Sequence, residues 1–403
     1  MSTITAPSHG ARVTRGRLSQ LEHPGRAFAH IGPNWFASVM GTGILAPAAI
    51  LLPVHVTGQA EFAIGAWALA AVMLLVLAAA TVTHWVRHPA IARGHHRNPA
   101  MAPFYGAPPM AILTVGAGTL LAGSKLIGIA PAVTVDELLW TIGTVAGLAC
   151  TIAIPYLMLT GAPLALEQVN GSWLMAIVAP MVSAATGAAL IAHLPAGQDQ
   201  LTLALACYGM FGVSLIASMI VFGLMIARLA RHGTGPAALV PMLWIALGPL
   251  GQSITAVGLL AKAAEPALPA SLAPAIHGLV IVYAIPVWGF AVAWLAVAAA
   301  ITIRTARTGL PFALTWWAFT FPVGTMVTGT SVLATTLGAH VLTWAAVALF
   351  ALLLTGWSGT AIRTTRGTWR GTLLNPPATA GARAGQAVGS LPGEAGYLHE
   401  RER

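Results

Sequence analysis

"WWAFTFPVGT", Trp316–Thr325, lies in an uncharged run bounded by Arg307 and Arg363. It sets a proline directly behind a phenylalanine and follows it with glycine and threonine. Proline in a helix interior removes a backbone donor and clashes with the preceding turn, at a cost of roughly 3 kcal/mol. The stretch therefore predicts a bent apolar helix with freed carbonyls. Inside a bilayer such groups find partners only in protein or in a water-filled cavity, so the bend points to a conduit.

The rest of the chain supplies the bilayer. Of 403 residues, 57% are hydrophobic and only 7% charged, against about 25% charged in soluble domains. The fold class is an all-α polytopic membrane protein. Charged residues leave long uncharged stretches at 26–61, 61–87, 97–125, 137–167, 167–199, 199–228, 231–262, 265–304 and 307–363. A crossing needs about 20 apolar residues. The last stretch is too long for one and divides at "TLGAHV" (Thr336–Val341), which gives ten transmembrane helices. With both termini cytoplasmic, Lys125 and Lys262 are the only Lys or Arg among 19 to fall outside, as the positive-inside rule requires. The fourth loop carries Glu167 and no basic residue.

Residues 1–27 read as a flexible basic tail, 28–363 as the transmembrane domain and 364–403 as a disordered tail rich in Pro, Gly and Ala. The net charge of +9 flanks apolar segments, so lipid and not nucleic acid is its partner. Cys150 and Cys207 stand alone inside apolar runs, which argues against a disulfide framework or a zinc site. No metal or cofactor is expected.

Proline favours the odd-numbered spans: Pro108 and Pro109, Pro180, Pro249 and Pro322, with Pro33 opening the first. Pro155 and Pro286 are the exceptions among the even spans. "APMVSAATG" (Ala179–Gly187), "GPLGQSITAVG" (Gly248–Gly258) and "FPVGTMVTGT" (Phe321–Thr330) each place proline ahead of small and hydroxyl residues. This echo predicts five helical hairpins, with the odd helices kinked around a central pore and the even ones facing lipid. Candidate pore-lining residues are Gly41, Thr42, Gly43, Thr114, Ser183, Gln252, Ser253, Gly324 and Thr325, with Pro109, Pro180, Pro249 and Pro322 as the kinks. Neutral dipoles can bind an anion weakly enough to release it, as conduction requires. The same residue types also serve close helix packing and bond their own backbone. His277, Glu167 and His84 are the candidates for proton coupling, since ionisable groups in membrane helices are functional suspects.

The segments "PNWFASVMGTGILA" (Pro33–Ala46), "WLMAIVAPMVSAATG" (Trp173–Gly187), "GPLGQS" (Gly248–Ser253), "WGFAVAWL" (Trp288–Leu295) and "WWAFTFPVG" (Trp316–Gly324) resemble the tellurite-resistance/dicarboxylate transporter family. That family takes in slow-type anion channels, a malic-acid transporter and a sulfite efflux pump. The likeness covers the ten-helix region and excludes the tails. It implies a pore lined by helices one, three, five, seven and nine, and a homotrimer in the plasma membrane. It also implies a phenylalanine gate on helix nine, which is Phe321 here, while Phe319 should face elsewhere. Small anions such as malate or sulfite are the implied substrates, moved by a channel or uniporter, with a proton-coupled C4-dicarboxylate carrier as the alternative. A membrane redox enzyme is the rival class. A bis-histidine haem needs paired mid-span ligands, whereas His84, His88, His95 and His96 crowd a helix end.

Overall fold

The computed structural model describes residues 18–21, 24–161, 164–269 and 271–375. Residues 1–17 and 376–403 of the two expected tails lie outside the described residues. Among the described residues, nine helices are long and apolar enough to cross a membrane. They are α1 (Pro33–Leu51), α2 (Gln59–Arg87), α3 (Ala102–Ile127), α4 (Ile129–Thr160), α5 (Ser172–Ile191), α6 (Gln198–His232), α7 (Ala237–Ala267), α8 (Pro274–Thr308) and α10 (His340–Arg370). Between the last two runs α9 (Phe321–Leu337), 17 residues long, preceded by a 3-10 run at Leu314–Phe319. The chain is an all-helical polytopic membrane protein.

Burial divides the helices sharply. The most apolar windows of α1, α3, α5 and α7 are 67–94% buried, and those of α2, α4, α6, α8 and α10 only 22–28%. In α9 every residue from Phe321 to Ala334 is buried. The outer helices carry bare aliphatic side chains such as Val76, Ile152, Ile216 and Val282, a surface suited to lipid tails and not to water. Each odd-numbered element packs on the odd elements before and after it, and α9 closes on α1.

The prolines explain themselves locally. Pro109, Pro249 and Pro322 are not mid-helix kinks. Each falls within the first three residues of an α-helical stretch that follows a 3-10 run: Ala107–Gly118, Leu247–Ala264 and Phe321–Leu337. There the missing N–H costs little, because the first turn of an α-helix has no intrahelical acceptors for its amides. Pro180 alone of the four is interior, and neighbouring helices repair its ladder. Thr151 on α4 donates to the Ala176 carbonyl, four residues before the proline, at 3.1 Å. Ser214 on α6 takes the Met181 amide at 3.0 Å and donates to the Ile177 carbonyl at 2.6 Å.

Indole N–H groups tie the outer helices to the inner ones. Trp67 on α2 donates to Thr119 on α3, Trp140 on α4 to the Ser183 carbonyl on α5, Trp288 on α8 to Thr330 on α9, and Trp357 on α10 to Thr42 on α1. Each strap reaches forward to the next inner helix, and the last returns to the first.

The ends of the chain correct the tail boundaries. α10 runs on to Arg370, past the expected limit at 363. The Arg363 guanidinium sits 4.5 Å over the Trp316 ring, and Trp317 Nε1 donates to Thr364. Part of the expected flexible N-terminal tail is likewise held, as the Leu18 and Gln20 amides donate to the Trp369 and Arg370 carbonyls.

Two backbone crossings repeat one hairpin apart and test the packing. A Cβ on Gly106 would collide with the Met175 carbonyl, and one on Gly171 with the Met242 carbonyl, whereas Gly248 has open space. Gly106→Ala and Gly171→Ala are expected to destabilise the protein by about 1–3 kcal/mol, and Gly248→Ala to leave thermal unfolding in detergent unchanged. A second expectation concerns the short helix Pro89–His95 at the end of α2, where the His95 ring stacks on His84 at 5.2 Å. Burial holds the His95 pKa below the usual histidine value, and His84, His30 and His96 push it the same way. The folded state thus favours neutral His95, so its contribution is present above about pH 6.5 and is lost as pH falls through the lowered value. Melting temperature should drop on acidification from pH 7 to 5, with a shallower drop in His95→Gln.

Candidate functional site

The odd-numbered elements leave two cavities along their shared interior. The smaller, about 30 Å³, lies near their starts and is lined by residues including Met40, Phe104, Met175, Met242 and Trp317. The larger, about 360 Å³, lies toward their ends, with Ile44, Thr114, Val182, Gln252 and Thr328 in its wall. Both draw on α1, α3, α5, α7 and α9 or the run before it. One residue belongs to both linings, Phe321.

The backbone around Phe321 is fixed by short hydrogen bonds. Thr320 leaves the regular helix at φ −108° and ψ −78°, and its hydroxyl donates to the Trp317 carbonyl at 2.6 Å. Phe321 then opens α9 with Pro322 behind it. The Thr325 hydroxyl donates to the Pro322 carbonyl at 2.7 Å and approaches the Leu247 carbonyl at 3.2 Å. Phe319 packs edge-on against Trp244 and Trp316 at 5.1 and 5.7 Å and enters neither lining.

Of the residues expected along the conduit, Thr114 and Gln252 line the larger cavity, and Pro249 and Pro322 the smaller. The others are in neither of these two linings. Gly41 lies against Thr320 and Trp317, Gly43 against Thr114, and Gly324 against Ile44. Thr42 accepts the Trp357 indole. Ser183 accepts from Thr144 at 2.9 Å and donates to Ala179, Ser253 donates to Leu250, and Thr325 faces α7. Pro109 lies toward Gly143 and Gly147 of α4, and Pro180 is closed off by the α4 and α6 hydroxyls.

The proton-coupling candidates also lie away from both cavities. His277 stands 3.3 Å from Glu265, and Glu167 3.5 Å from His232, with both pairs partly exposed. His84 is buried and donates through Nδ1 to the Phe28 carbonyl at 2.9 Å. Sequence reasoning passed over Thr255 and Thr328, which meet at 2.7 Å in the larger cavity, and Lys262, the one charged residue in its wall. Helical spacing carried the signal: Thr255 lies three residues beyond Gln252 and Thr328 seven beyond Phe321, on the same faces.

Known proteins place this arrangement. Over 340 residues the chain is 25% identical to an uncharacterized transporter of Methanocaldococcus jannaschii, covering 84% of this chain and 94% of that one. Over 312 residues it is 29% identical to a sulfite efflux pump of Trichophyton rubrum, covering 76% of this chain and 82% of that one. Residues 30–365 match the voltage-dependent anion channel family, SLAC1. That match spans well over half of the chain, and the chain accordingly belongs to this family of membrane anion transporters and is not an enzyme.

Proposed function

We propose that the chain is a gated conduit through which small anions leave the cell. Ten spans, with α9 and the 3-10 run before it as the ninth, form five hairpins around a central pore. The observation that carries this reading is the position of Phe321, the residue that lines both cavities. A benzyl group at such a point closes the path by excluding water and opens it by turning aside.

The walls suit throughput. Apart from Lys262 the larger cavity is lined by neutral groups, chiefly hydroxyls, amides and aliphatic side chains, and weak sites release what they bind. With the interior negative, each exported negative charge gains about 2.3 kcal/mol per 100 mV, so efflux needs no coupling ion. Neither the His277–Glu265 pair nor the Glu167–His232 pair touches the path, which favours a uniporter over a proton-coupled C4-dicarboxylate carrier. Sulfite, named in the fungal relative, and malate are the substrates to compare. The chain works in the plasma membrane as a homotrimer with both termini in the cytoplasm.

In proteoliposomes Phe321→Ala is expected to raise anion flux by on the order of tenfold, the effect of removing ~1.4 kcal/mol of barrier. Phe319→Ala should match wild type at equal protein density. Equal flux through Phe321→Ala and wild type would remove the gate assignment. Chloride flux, whose substrate does not titrate, should be indifferent to an imposed pH gradient.

A further inference from the structure

The larger cavity holds seven polar side chains in its wall, and their hydrogen bonds separate them into two groups. Thr114 and Thr186 each donate to a backbone carbonyl of their own helix, Thr255 and Thr328 share a hydrogen bond at 2.7 Å beside the Gly251 and Thr325 carbonyls, and Gln200 donates to the Leu194 carbonyl. Gln252 and Lys262 remain. Gln252 is only 4% exposed, its side chain forms no hydrogen bond within the protein, and its buried Oε1 has no partner. An oxyanion cannot pair with that oxygen, itself an acceptor, but the Nε2 of the same amide carries donors that no protein group takes and that an anion in the cavity can.

Lys262 lies ten residues further along α7, about 15 Å by helical rise. Its nearest acid in sequence is Glu265, one turn on, but that carboxylate is engaged by His277 Nε2 at 3.3 Å. Asp199, beside Gln200 on α6, lines a separate groove together with Glu137. No described carboxylate forms an ion pair with Lys262, so its ammonium is available to the cavity it lines.

We propose that Lys262 and Gln252 are successive binding points for a compact oxyanion of the sulfite type, with Lys262 at the mouth of the larger cavity and Gln252 deeper, toward Phe321. The assignment rests on the conduit reading above and names its substrate class. Two carboxylates held at once call for two cationic or bidentate partners, and this cavity has a single ammonium. A compact oxyanion needs only one such partner at a time. Each point therefore takes one anion, and two weak points in series allow one anion to displace the next.

The test uses the full chain in proteoliposomes, with sulfite, malate and chloride compared in wild type, Lys262→Gln, Lys262→Arg, Gln252→Leu and Phe321→Ala. Lys262→Gln should raise the half-saturating sulfite concentration about fivefold, the scale of one partly screened charge pair. Lys262→Arg should restore it, and added inert salt should raise it in wild type but not in Lys262→Gln. Gln252→Leu should lower maximal sulfite flux while leaving the salt dependence intact. Wild-type half-saturation in Lys262→Gln, or malate carried as well as sulfite with the same dependence on Lys262, overturns the assignment while leaving the conduit standing if Phe321→Ala still passes more anion. Failure of both wild type and Phe321→Ala to pass any of the three anions overturns the conduit and the assignment together. Should Gln252→Leu fail to fold, Gln252→Met gives the same readout, and wild-type sulfite flux from that variant counts against Gln252.

Discussion

A backbone carbonyl or amide buried among membrane helices has no water to turn to, and leaving one unpaired costs several kcal/mol. That requirement decides where this chain can place proline. At Pro109, Pro249 and Pro322 the residue stands where an α-helical stretch begins, and an absent N–H leaves little unsatisfied. At Pro180 the helix is unbroken, so Thr151 and Ser214 have to come from α4 and α6 to complete the ladder. The interior proline of α5 thus depends on hydroxyls supplied by α4 and α6.

The indole straps meet the same requirement from the other direction. A tryptophan on an outer helix has a large apolar body for lipid or packing and one donor that needs an acceptor when buried. Trp67, Trp140, Trp288 and Trp357 each find it on the following inner helix. α6, which has no tryptophan, uses Ser214 on the preceding one instead. Lipid tails provide no hydrophobic drive for helix association, so small residues and such hydrogen bonds carry it. The close crossings at Gly106 and Gly171 show the small-residue half of that arrangement.

Much of this was legible in the sequence, and the failures are instructive. Charge spacing separated the first eight candidate spans, because charged residues are expensive in lipid and favour helix ends. The stretch between α8 and α10 was harder to read, since a 3-10 run and a 17-residue helix share it. Which small or hydroxyl residues face the cavities was not legible. Thr42 and Thr114 have the same chemistry, yet one accepts an indole and the other lines a cavity, and only the rotation of each helix separates them. Lys262 served the sequence reading as a topological marker alone, because nothing local shows that Glu265 is drawn off by a histidine twelve residues away.

The site of the break in helix nine bears on how an aromatic ring could move there. In a continuous α-helix the preceding turn removes one side-chain rotamer from most residues. Phe321 has no preceding α-turn, for Thr320 departs from helical geometry and a 3-10 run lies before it. The Thr325 hydroxyl, donating to the Pro322 carbonyl, ties down the backbone that follows it. Phe321 lines both the cavity of about 30 Å³ and that of about 360 Å³. The proline in "WWAFTFPVGT" stands second in the α-helix that begins at Phe321, the one place at that depth where a missing N–H leaves no helical carbonyl unpaired.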